Sequence, residues 1–559
     1  MAGADANVFD SARTSAGLSV LLIGPYDPLG GEYTFLAPPL GVWRLAGVLR
    51  HAGHDASVFD PNCRDGAPES ALRRALAERR FDLVGVSTTG MTLRYDLALA
   101  HLAKRAQPDA LLVAGGMEAT FAPETLFELA PFDLVVLGEG ELPLLEVLAA
   151  RAEGLPVRGL PGTAFPDAAG VRRVPRAALT REALRDATFL TPYEDMPYAR
   201  YWRRLEQSYR VNDLPVKARR EARLAEIRSV RLNTLNYCPM NCSFCSSTNF
   251  LHEAQGGDTA KVGRLDADEC LAMLKRIVAA HPDVRTIIFQ DDIFVFTADT
   301  RIGPLCEAIV AAKRSGELPG GLQFISTNRI DSMNAERLAA MRAAGFRVLG
   351  FGIESFAPAI LREFNKARIQ RHIEPNLLLA LEAGVTPFLD MILTSPRCAL
   401  GDLAENVRQA HRWVEAGCEV GMYPYVIPFS GAAMARDPEL VPHTVHKTQE
   451  IAGTGLSWSQ PAKILPVDPR VRDAILEIEA AFEGWLKLLH ASVPHLPSRV
   501  RSLLWVFCAI PVLSRAGEAM PARRDVGDAL LLRLPGIDRE SFAALELAIG
   551  DGEGEAPCA

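Results

Sequence analysis

Three cysteines, Cys238, Cys242 and Cys245, stand within eight residues at the spacing C-x3-C-x2-C. Residues 229–237 before them alternate in the manner of a β-strand, so we expect the cysteines in a loop that leaves a strand. Such a loop can turn three thiolates onto one soft metal centre, and thiolates select iron–sulfur clusters, zinc or copper(I). Zinc normally takes a fourth Cys or His at finger-like spacing, which the adjacent sequence lacks. Three thiolates on a cubane cluster would leave one iron open for chemistry.

The region before the cysteines predicts a separate ligand-binding domain. Residues 18–153 alternate short apolar strands with helices, which is typical of a doubly wound parallel α/β domain. In such open sheets a ligand lies outside the carboxyl ends of the strands. The absence of a GxGxxG pattern after the first strand weakens a dinucleotide-binding interpretation. The small or polar residues at or just after these strand ends are Asn62, Ser87, Thr88, Thr89, Gly115, Gly116, Gly138, Glu139 and Gly140.

The cysteine loop itself belongs to a second alternating region. Six strand–helix units within 225–430 predict a partial, TIM-like (β/α)6 barrel, whose active site would lie at the C-terminal strand ends. Residues 154–224 are rich in proline and charge and are expected to form a connector that packs between the domains. Residues 431–559 are expected to be mostly helical, and residues 1–17 to be disordered.

Composition excludes several classes of protein. The chain has 559 residues, too many for one core, with a formal net charge of −8 and no long run of one sign. We therefore expect no nucleic-acid partner. We expect no signal peptide, because the N-terminal residues show no charged region followed by an apolar one. We expect no membrane span, because no apolar stretch reaches eighteen residues. Ten cysteines, three of them clustered, fit a reducing cytoplasm and a metal site better than a disulfide scaffold.

The cysteine spacing, with Phe244 before the third cysteine, resembles the radical SAM superfamily. The resemblance implies that Cys238, Cys242 and Cys245 hold a 4Fe–4S cluster whose open iron binds the amino and carboxylate groups of S-adenosylmethionine (SAM). Polar turns at later strand ends resemble the family's SAM contacts, and paired carboxylates suit an ammonium group. The residues that the resemblance assigns to SAM are Gln290, Asp291, Asp292, Ser326, Arg329 and Glu354.

Some side chains near these turns remain open to two interpretations. Arg329 could pair with the SAM carboxylate or bridge to Asp331. Tyr423 and Tyr425 at the sixth barrel strand could line a substrate pocket, although aromatic core packing is the commoner fate. The isolated cysteines Cys398, Cys418 and Cys508 are expected to be buried small hydrophobes.

The unit at 18–153 resembles the cobalamin-binding domain found before many radical SAM cores. The resemblance rests on PPLGVWRLAGVLRHAGH, on the AGG turn and on the GEGE turn, and it assigns the strand-end residues above to cobalamin. The DxHxxG motif that gives cobalt a histidine ligand does not occur in the sequence. The loop 61–66 is then a candidate for the lower face of cobalt. There Arg64 could disfavour an axial ligand and stabilise electron-rich cobalt, or it could be a solvated surface arginine.

Together the two resemblances imply a cobalamin-dependent radical SAM enzyme. The cofactors would be a 4Fe–4S cluster, SAM and methylcobalamin. A 5′-deoxyadenosyl radical would open the way to methyl transfer onto carbon, or phosphorus, of a secondary metabolite, lipid or peptide. The alternatives are radical rearrangement or cyclisation without net methylation, polar methylation without that radical, a sensor that does not turn over, and a zinc protein. We expect a cytoplasmic monomer that receives electrons from a donor such as flavodoxin or ferredoxin.

Overall fold

The computed structural model describes residues 7–13, 17–28, 36–214, 216–490, 496–534 and 537–550. The chain forms two large sheets, one on each side of residue 200, and a two-stranded sheet near residue 450. Both large sheets contain parallel strands joined by helices, as strand–helix alternation dictates. The first sheet consists of β1 (Ser19–Ile23), β2 (Asp55–Phe59), β3 (Leu83–Thr88), β4 (Leu111–Gly116), β5 (Leu134–Val136), β6 (Thr163–Asp167) and β7 (Gly170–Val174).

The order of the first sheet is β2-β1-β3-β4-β5-β6-β7. Strands β1 to β5 pair in parallel, and their apolar runs are buried because helices cover both faces. Strands β6 and β7 add an antiparallel edge. These two strands fall within the segment 154–224 that the sequence predicted only as a connector, so part of that segment completes the first sheet.

The N-terminal segment corrects a second expectation. Residues Val8–Ala12 form a 3-10 helix that Asn7 caps, and the Phe9 side chain is fully buried. The backbone N–H of Val8 donates to Asp186 at 2.8 Å. The prediction of disorder over 1–17 is therefore wrong for residues 7–13, while residues 1–6 and 14–16 lie outside the described residues.

The second sheet is wholly parallel, in the order β13-β12-β11-β10-β9-β8. Burial alternates along its strands, so one set of side chains packs under the surrounding helices and the other set faces the concave interior. This is the architecture of the predicted partial barrel. Its strands are β8 (Ser229–Leu232), β9 (Thr286–Phe289), β10 (Gln323–Asn328), β11 (Phe346–Glu354), β12 (Thr386–Ile392) and β13 (Glu419–Tyr423).

The C-terminal region begins with an antiparallel hairpin and continues as helices. The hairpin strands are β14 (Thr444–Glu450) and β15 (Ser457–Ile464). Across the described ranges, we find no helix with both the length and the apolar character needed to cross a membrane. The α-helices are α1 (Leu40–His51), α2 (Pro68–Glu78), α3 (Leu93–Ala106), α4 (Met117–Phe121), α5 (Pro123–Leu129), α6 (Glu141–Ala152), α7 (Arg181–Leu190), α8 (Tyr198–Ser208), α9 (Lys217–Ile227), α10 (Ser247–Ala254), α11 (Ala267–Ala280), α12 (Ile302–Ser315), α13 (Ala335–Ala344), α14 (Pro358–Glu363), α15 (Gln370–Glu382), α16 (Leu400–Ala416), α17 (Pro469–His490), α18 (Ser498–Arg515), α19 (Arg523–Leu531) and α20 (Arg539–Gly550).

Specific contacts bring the carboxyl edge of the first sheet against the barrel. Ser430, after β13, donates to Glu118, which follows β4, at 3.1 Å. The side chain of Gln460 in the hairpin donates to the Gly90 carbonyl at 2.7 Å. A methyl group on Gly138 would lie 2.6 Å from the Ala254 side chain, so the two domains approach closely there. The strand ends of both sheets therefore border one shared cleft.

Candidate functional site

The three cysteines lie in the loop between β8 and α10. All three side chains are half-buried and none forms a disulfide. Burial raises the pKa of the Cys238 thiol to about 12 and also raises the pKa of Cys242. The negative charge of neighbouring cysteine thiolates raises both pKa values further, by a smaller amount. The three thiols are free, and in the absence of a metal they resist ionisation. They suit a cationic iron centre, because a bound metal stabilises the thiolate form.

The cysteine loop is fixed from several sides. The hydroxyl of Ser243 donates to the Glu363 carbonyl at 2.7 Å, and the Ser243 carbonyl accepts from the Met434 backbone at 2.9 Å. Thr248 donates to the Cys238 carbonyl at 2.9 Å. The Phe244 ring, whose type the sequence singled out, lies 4.8 Å from the Phe364 ring centroid. The aromatic residue thus packs the loop against the segment that follows β11.

The donor set fits a cluster better than a single zinc ion. Among the described residues, no three His, Cys, Asp or Glu side chains converge closely enough to hold one metal ion. Tetrahedral zinc requires such convergence. In a cubane cluster each cysteine binds a different iron, so the three sulfurs stay apart.

The two aspartates of the turn after β9 have different roles. Asp291 is buried and accepts from the Thr234 N–H at 2.6 Å, the Thr234 hydroxyl at 2.7 Å and the Leu235 N–H at 2.8 Å. Burial raises the pKa of this carboxyl to about 6. Both its oxygens are thus engaged in holding the strand that leads to the cysteines. Asp291 positions that loop, which corrects the expectation that it faces SAM.

The two neighbours of Asp291 lie on the open side. Asp292 is exposed within the cleft, yet surrounding protein atoms raise the pKa of its carboxyl, and Ser247 hydrogen-bonds to it. Gln290 accepts a hydrogen bond from the Arg231 guanidinium. Asp292 is therefore the carboxylate of this turn that is free to meet a cationic ligand.

The turn after β10 also differs from expectation. Ser326 is buried beneath the sheet and exchanges hydrogen bonds with Asn328, so it does not face the concave interior as predicted. Its neighbour Thr327 is exposed on the concave face. Arg329 donates twice to Asp331, at 2.8 and 2.7 Å, which selects the bridging interpretation. The charge of Arg329 still acts on Cys242, so the arginine lies beside the cysteine loop.

Glu354 at the end of β11 forms a buried ion pair that the sequence did not reveal. Its carboxylate is 2.9 Å from the Lys366 ammonium, which also donates to the Gly352 carbonyl at 2.6 Å. Glu354 has a positive φ of 63°, a left-handed conformation that is costly for a residue with a side chain and is typical of functional sites. A methyl group on Gly352 would lie 2.6 Å from this carboxylate, so glycine makes room for the pair.

The two tyrosines of the sixth strand have different environments. Tyr423 is 49% exposed and faces the concave interior, near Asp390 and Glu354. Tyr425 is buried, and its hydroxyl donates to Glu479 at 2.7 Å, so it does not line the open cleft as predicted. Asp390, on β12, makes no hydrogen bond or ion pair with any described residue, and burial together with Glu354 raises its pKa to about 7. Glycines occupy the paired positions on both neighbouring strands, Gly352 and Gly421.

A cavity of about 330 Å³ lies at the carboxyl edge of the first sheet. Six residues predicted for cobalamin line it: Ser87, Gly115, Gly116, Gly138, Glu139 and Gly140. The opposite wall comes from the barrel and consists of Asn233, Leu235, Asn236 and Phe250, just before and just after the cysteines. The cavity therefore joins the first domain directly to the cysteine loop.

The polar end of this cavity contains charged groups. Arg44 of α1 forms an ion pair with the fully buried Glu141 at 2.5 Å. Glu139 accepts from the Leu179 N–H at 2.7 Å, and burial followed by the neighbouring Glu141 raises its pKa to about 7. Sequence reasoning missed Arg44, although a lone cation inside the apolar helix sequence GVWRLAGV was a usable signal.

The remaining predicted cobalamin residues do not line the cavity. Arg64 stacks on Phe59, with its guanidinium carbon 4.8 Å from the ring centroid, next to the edge strand β2. Asn62 bonds to Pro25 and Asp27. Thr88 donates to the Gly115 carbonyl at 3.0 Å, and Thr89 pairs with Thr92. The interpretation of Arg64 as a group beneath cobalt is thus not supported, since it belongs to the edge of the sheet.

The cavity suits a ligand that carries hydrogen-bond donors, such as amide or hydroxyl groups. A methyl group at Gly115 would meet no atom of the described residues within 4 Å, so the strand end leaves open space. Glu139 Oε1 and Asn233 Oδ1, from opposite walls, are buried without a hydrogen-bond partner among the residues that the structure describes. Buried polar atoms of this kind normally have partners, which a bound ligand with hydrogen-bond donors would provide.

Comparison with known families agrees with this geometry. Residues 26–148 match the B12 binding domain, and residues 232–406 match the radical SAM superfamily. The chain therefore carries a B12-binding domain followed by a radical SAM domain. This confirms the predicted fold class and the family resemblance, while the individual ligand contacts remain predictions.

Several curated and solved proteins are similar to this chain. An uncharacterized methyltransferase of Pyrococcus horikoshii is 26% identical over 59% of this chain and 63% of its own length. The anaerobic magnesium-protoporphyrin IX monomethyl ester cyclase of Rubrivivax gelatinosus is 26% identical over 74% of this chain and 69% of its own length. The chain thus spans about two thirds of these relatives. The radical SAM methyltransferase TsrM of Kitasatospora setae, solved with cobalamin and a 4Fe–4S cluster, has 15% identity and a TM-score of 0.62 over 90% of this chain and 99% of its own.

Proposed function

We propose that this chain, which joins a B12-binding domain to a radical SAM domain, is a cobalamin-dependent radical SAM methyltransferase. The observation that carries the proposal is the shared cavity. Its walls are the glycine-rich strand ends of the first sheet and the residues that flank the three cysteines. Ligands of the two domains would therefore meet in one cleft, as transfer of a group from one to the other requires.

The residues divide into three groups by the ligand they would hold. Cys238, Cys242 and Cys245 would hold a 4Fe–4S cluster, Asp292 and the Glu354–Lys366 pair would hold SAM, and the cavity lined by Gly115 and Glu139 would hold cobalamin. When bound, these cofactors supply a transferable methyl group and a substrate radical. The protein positions them and excludes water, and the ion pairs at both ends of the cleft orient the charged groups of the ligands.

A second candidate uses the same cofactors without net methylation. It is favoured by the resemblance to the cyclase of Rubrivivax gelatinosus, which covers more of this chain than the methyltransferase of Pyrococcus horikoshii does. Polar methylation without a deoxyadenosyl radical was favoured by the idea that Arg64 lies beneath cobalt. Arg64 does not line the cavity, so it does not support this alternative. We therefore rank methylation of an unactivated carbon, or of phosphorus, in a small molecule or peptide first.

The test is anaerobic reconstitution with iron, sulfide and cobalamin, followed by product analysis with methyl-labelled SAM and candidate substrates. Radical methylation yields labelled product together with both S-adenosylhomocysteine and 5′-deoxyadenosine. Polar methylation yields only the first of these nucleosides, and a rearrangement yields only the second or regenerates SAM. Cys238→Ala serves as the control and should abolish 5′-deoxyadenosine formation. A chain that binds neither a cubane cluster nor cobalamin would overturn the proposal.

A further inference from the structure

A second cavity of about 320 Å³ lies between the hairpin β14–β15 and the loop that joins β3 to α3; we call it the hairpin cavity. Lys447 stands directly opposite Gln460 in the antiparallel pair, so their side chains share one face of the hairpin. Gln460 donates to the Gly90 carbonyl at 2.7 Å, which shows that this face is turned toward the first domain. Lys447 is thereby held over the cavity, and Gly90 forms part of the opposite wall.

The hairpin cavity is lined by two cations and no carboxylate. Arg94, in the first turn of α3, is half-buried with its guanidinium 4.4 Å from the Tyr95 ring centroid. Neither Arg94 nor Lys447 has an acidic partner within ion-pair distance among the residues that the structure describes. The net charge of the chain is −8, so two cations without a carboxylate in one cavity run against the overall charge balance. An anion is the ligand that such a cavity attracts.

Two carboxylates lie near the hairpin cavity without lining it. Glu118 lies behind Gly90 and accepts a hydrogen bond from Ser430, and burial raises the pKa of its carboxyl. Glu450 is exposed and lines the neighbouring cavity on the other side of Arg94. Among the described residues that line the hairpin cavity, the charged side chains are therefore the two cations.

The rest of the lining mixes apolar and polar side chains, the polar ones being Thr448, Gln449 and Gln460. Met91 is 42% exposed and lines the cavity together with Ile427 and Pro461. Ile427 follows β13, and Gly90 follows β3, so the cavity borders the carboxyl edges of both large sheets. Apolar side chains and two cations in one cavity suit an amphipathic acid.

We infer that the hairpin cavity binds the carboxylate or phosphate group of a substrate whose adjoining part is apolar. That the ligand is the substrate rests on the proposed function, whereas anion binding does not. Arg94 would engage the two oxygens of the anion as a fork, and Lys447 would add a point charge from the hairpin. The hairpin would thus contribute the specificity for the acidic end of the substrate.

The test is a calorimetric titration of the full chain, loaded with cobalamin and cluster, with hexanoate, hexyl phosphate and 1-hexanol. Either or both acids should bind and the alcohol should not, and the stronger acid identifies the anion class. Arg94→Gln and Lys447→Gln should each weaken binding by about tenfold, the effect of losing one charged contact. Arg73→Gln, at an exposed site on α2, is the matched control and should leave binding unchanged.

A labelling experiment on the unaltered chain guards against variants that misfold. The acid that binds should slow acylation of Lys447 by an amine-reactive ester, while the exposed Lys487 reacts at the same rate with or without it. Equal binding of the alcohol, no binding of either acid, or losses no larger than those of Arg73→Gln would overturn the inference. Anion binding in a chain that transfers no methyl group would count against the proposed function alone.

Discussion

The buried pair of Glu354 and Lys366 allows a quantitative test of how the SAM end of the cleft is built. Lys366→Met keeps most of the side-chain volume but removes the ammonium that contacts the Glu354 carboxylate and the Gly352 carbonyl. Glu354 is only 8% exposed, so its charge would be left buried without that partner. Removing one member of a buried pair costs about 3–5 kcal/mol. We expect a loss of that size in the free energy of unfolding of the cluster-free chain, measured with denaturant under reducing conditions.

A matched control and a double variant make this prediction refutable. Lys275 and Glu317 form an ion pair on the surface, so Lys275→Met should cost less than about 1 kcal/mol. The combination of Lys366→Met with Glu354→Gln removes the uncompensated charge and should recover about 1–3 kcal/mol of the loss. If Lys366→Met costs no more than Lys275→Met, or if the two changes at the buried pair are additive, the reasoning is refuted. Formation of 5′-deoxyadenosine by the reconstituted variants should fall for both single changes at the pair.

Three further changes test other parts of the site. Gly115→Val projects into open space, so it should unfold like the unaltered chain but bind cobalamin at least about tenfold more weakly in an absorbance titration, and equal affinity would contradict the assigned cavity. Arg44→Met leaves Glu141 buried without its cation and should cost about 3–5 kcal/mol in denaturant unfolding, part of which Glu141→Gln should restore; a loss below about 1 kcal/mol would speak against a buried pair. The pKa of Asp390 is raised to about 7 in the folded chain, so between its unfolded pKa and pH 7 the folded chain holds a proton that the unfolded chain has lost. The free energy of unfolding therefore falls as pH rises through this range. Asp390→Asn should remove that part of the decline between about pH 4 and 7, and an unchanged pH slope would show that Asp390 does not titrate there.

The order of strands and helices along the chain could be predicted from the sequence, because periodic apolar runs determine it. The strand ends at Gly115 and Gly138 and the cysteine triad were identifiable for the same reason, since short motifs at the ends of buried strands report local geometry. Contacts between side chains that are not linked by a local motif could not be predicted from the sequence. Glu354 was singled out, but Lys366, twelve residues later, has no motif. The choice of Asp291 over Asp292 as the positioning carboxylate depends on Thr234, in the segment that follows β8.

The same limit applies to residues at the edge of a sheet and to the two faces of a strand. Arg64 follows β2, and Ser87 lies near the end of β3. Because both residues are near the end of a strand, the sequence predicts a cobalamin contact for each. The strand order places β2 at the edge and β3 in the centre, and only the central strand ends face the barrel. Ser326 and Thr327 show the problem at single-residue scale, because a strand that is read one residue out of phase exchanges its buried and open faces.

The arrangement of the cleft separates the binding of cofactors from the choice of substrate. The cysteine triad, the Glu354–Lys366 pair and the Gly115 strand end all lie on or beside strands of the two large sheets, whose positions the cores fix. The hairpin β14–β15 belongs to neither large sheet. Its Ile464 is buried in the barrel core and its Trp458 packs on the core of the first domain, whereas Gln460 contacts the first domain by a hydrogen bond. The polar positions of the hairpin can therefore change without repacking a core. Because a hairpin at this position contributes Lys447 to the cleft, substitutions on its inward face should alter which substrates are accepted while cobalamin, cluster and SAM binding stay intact.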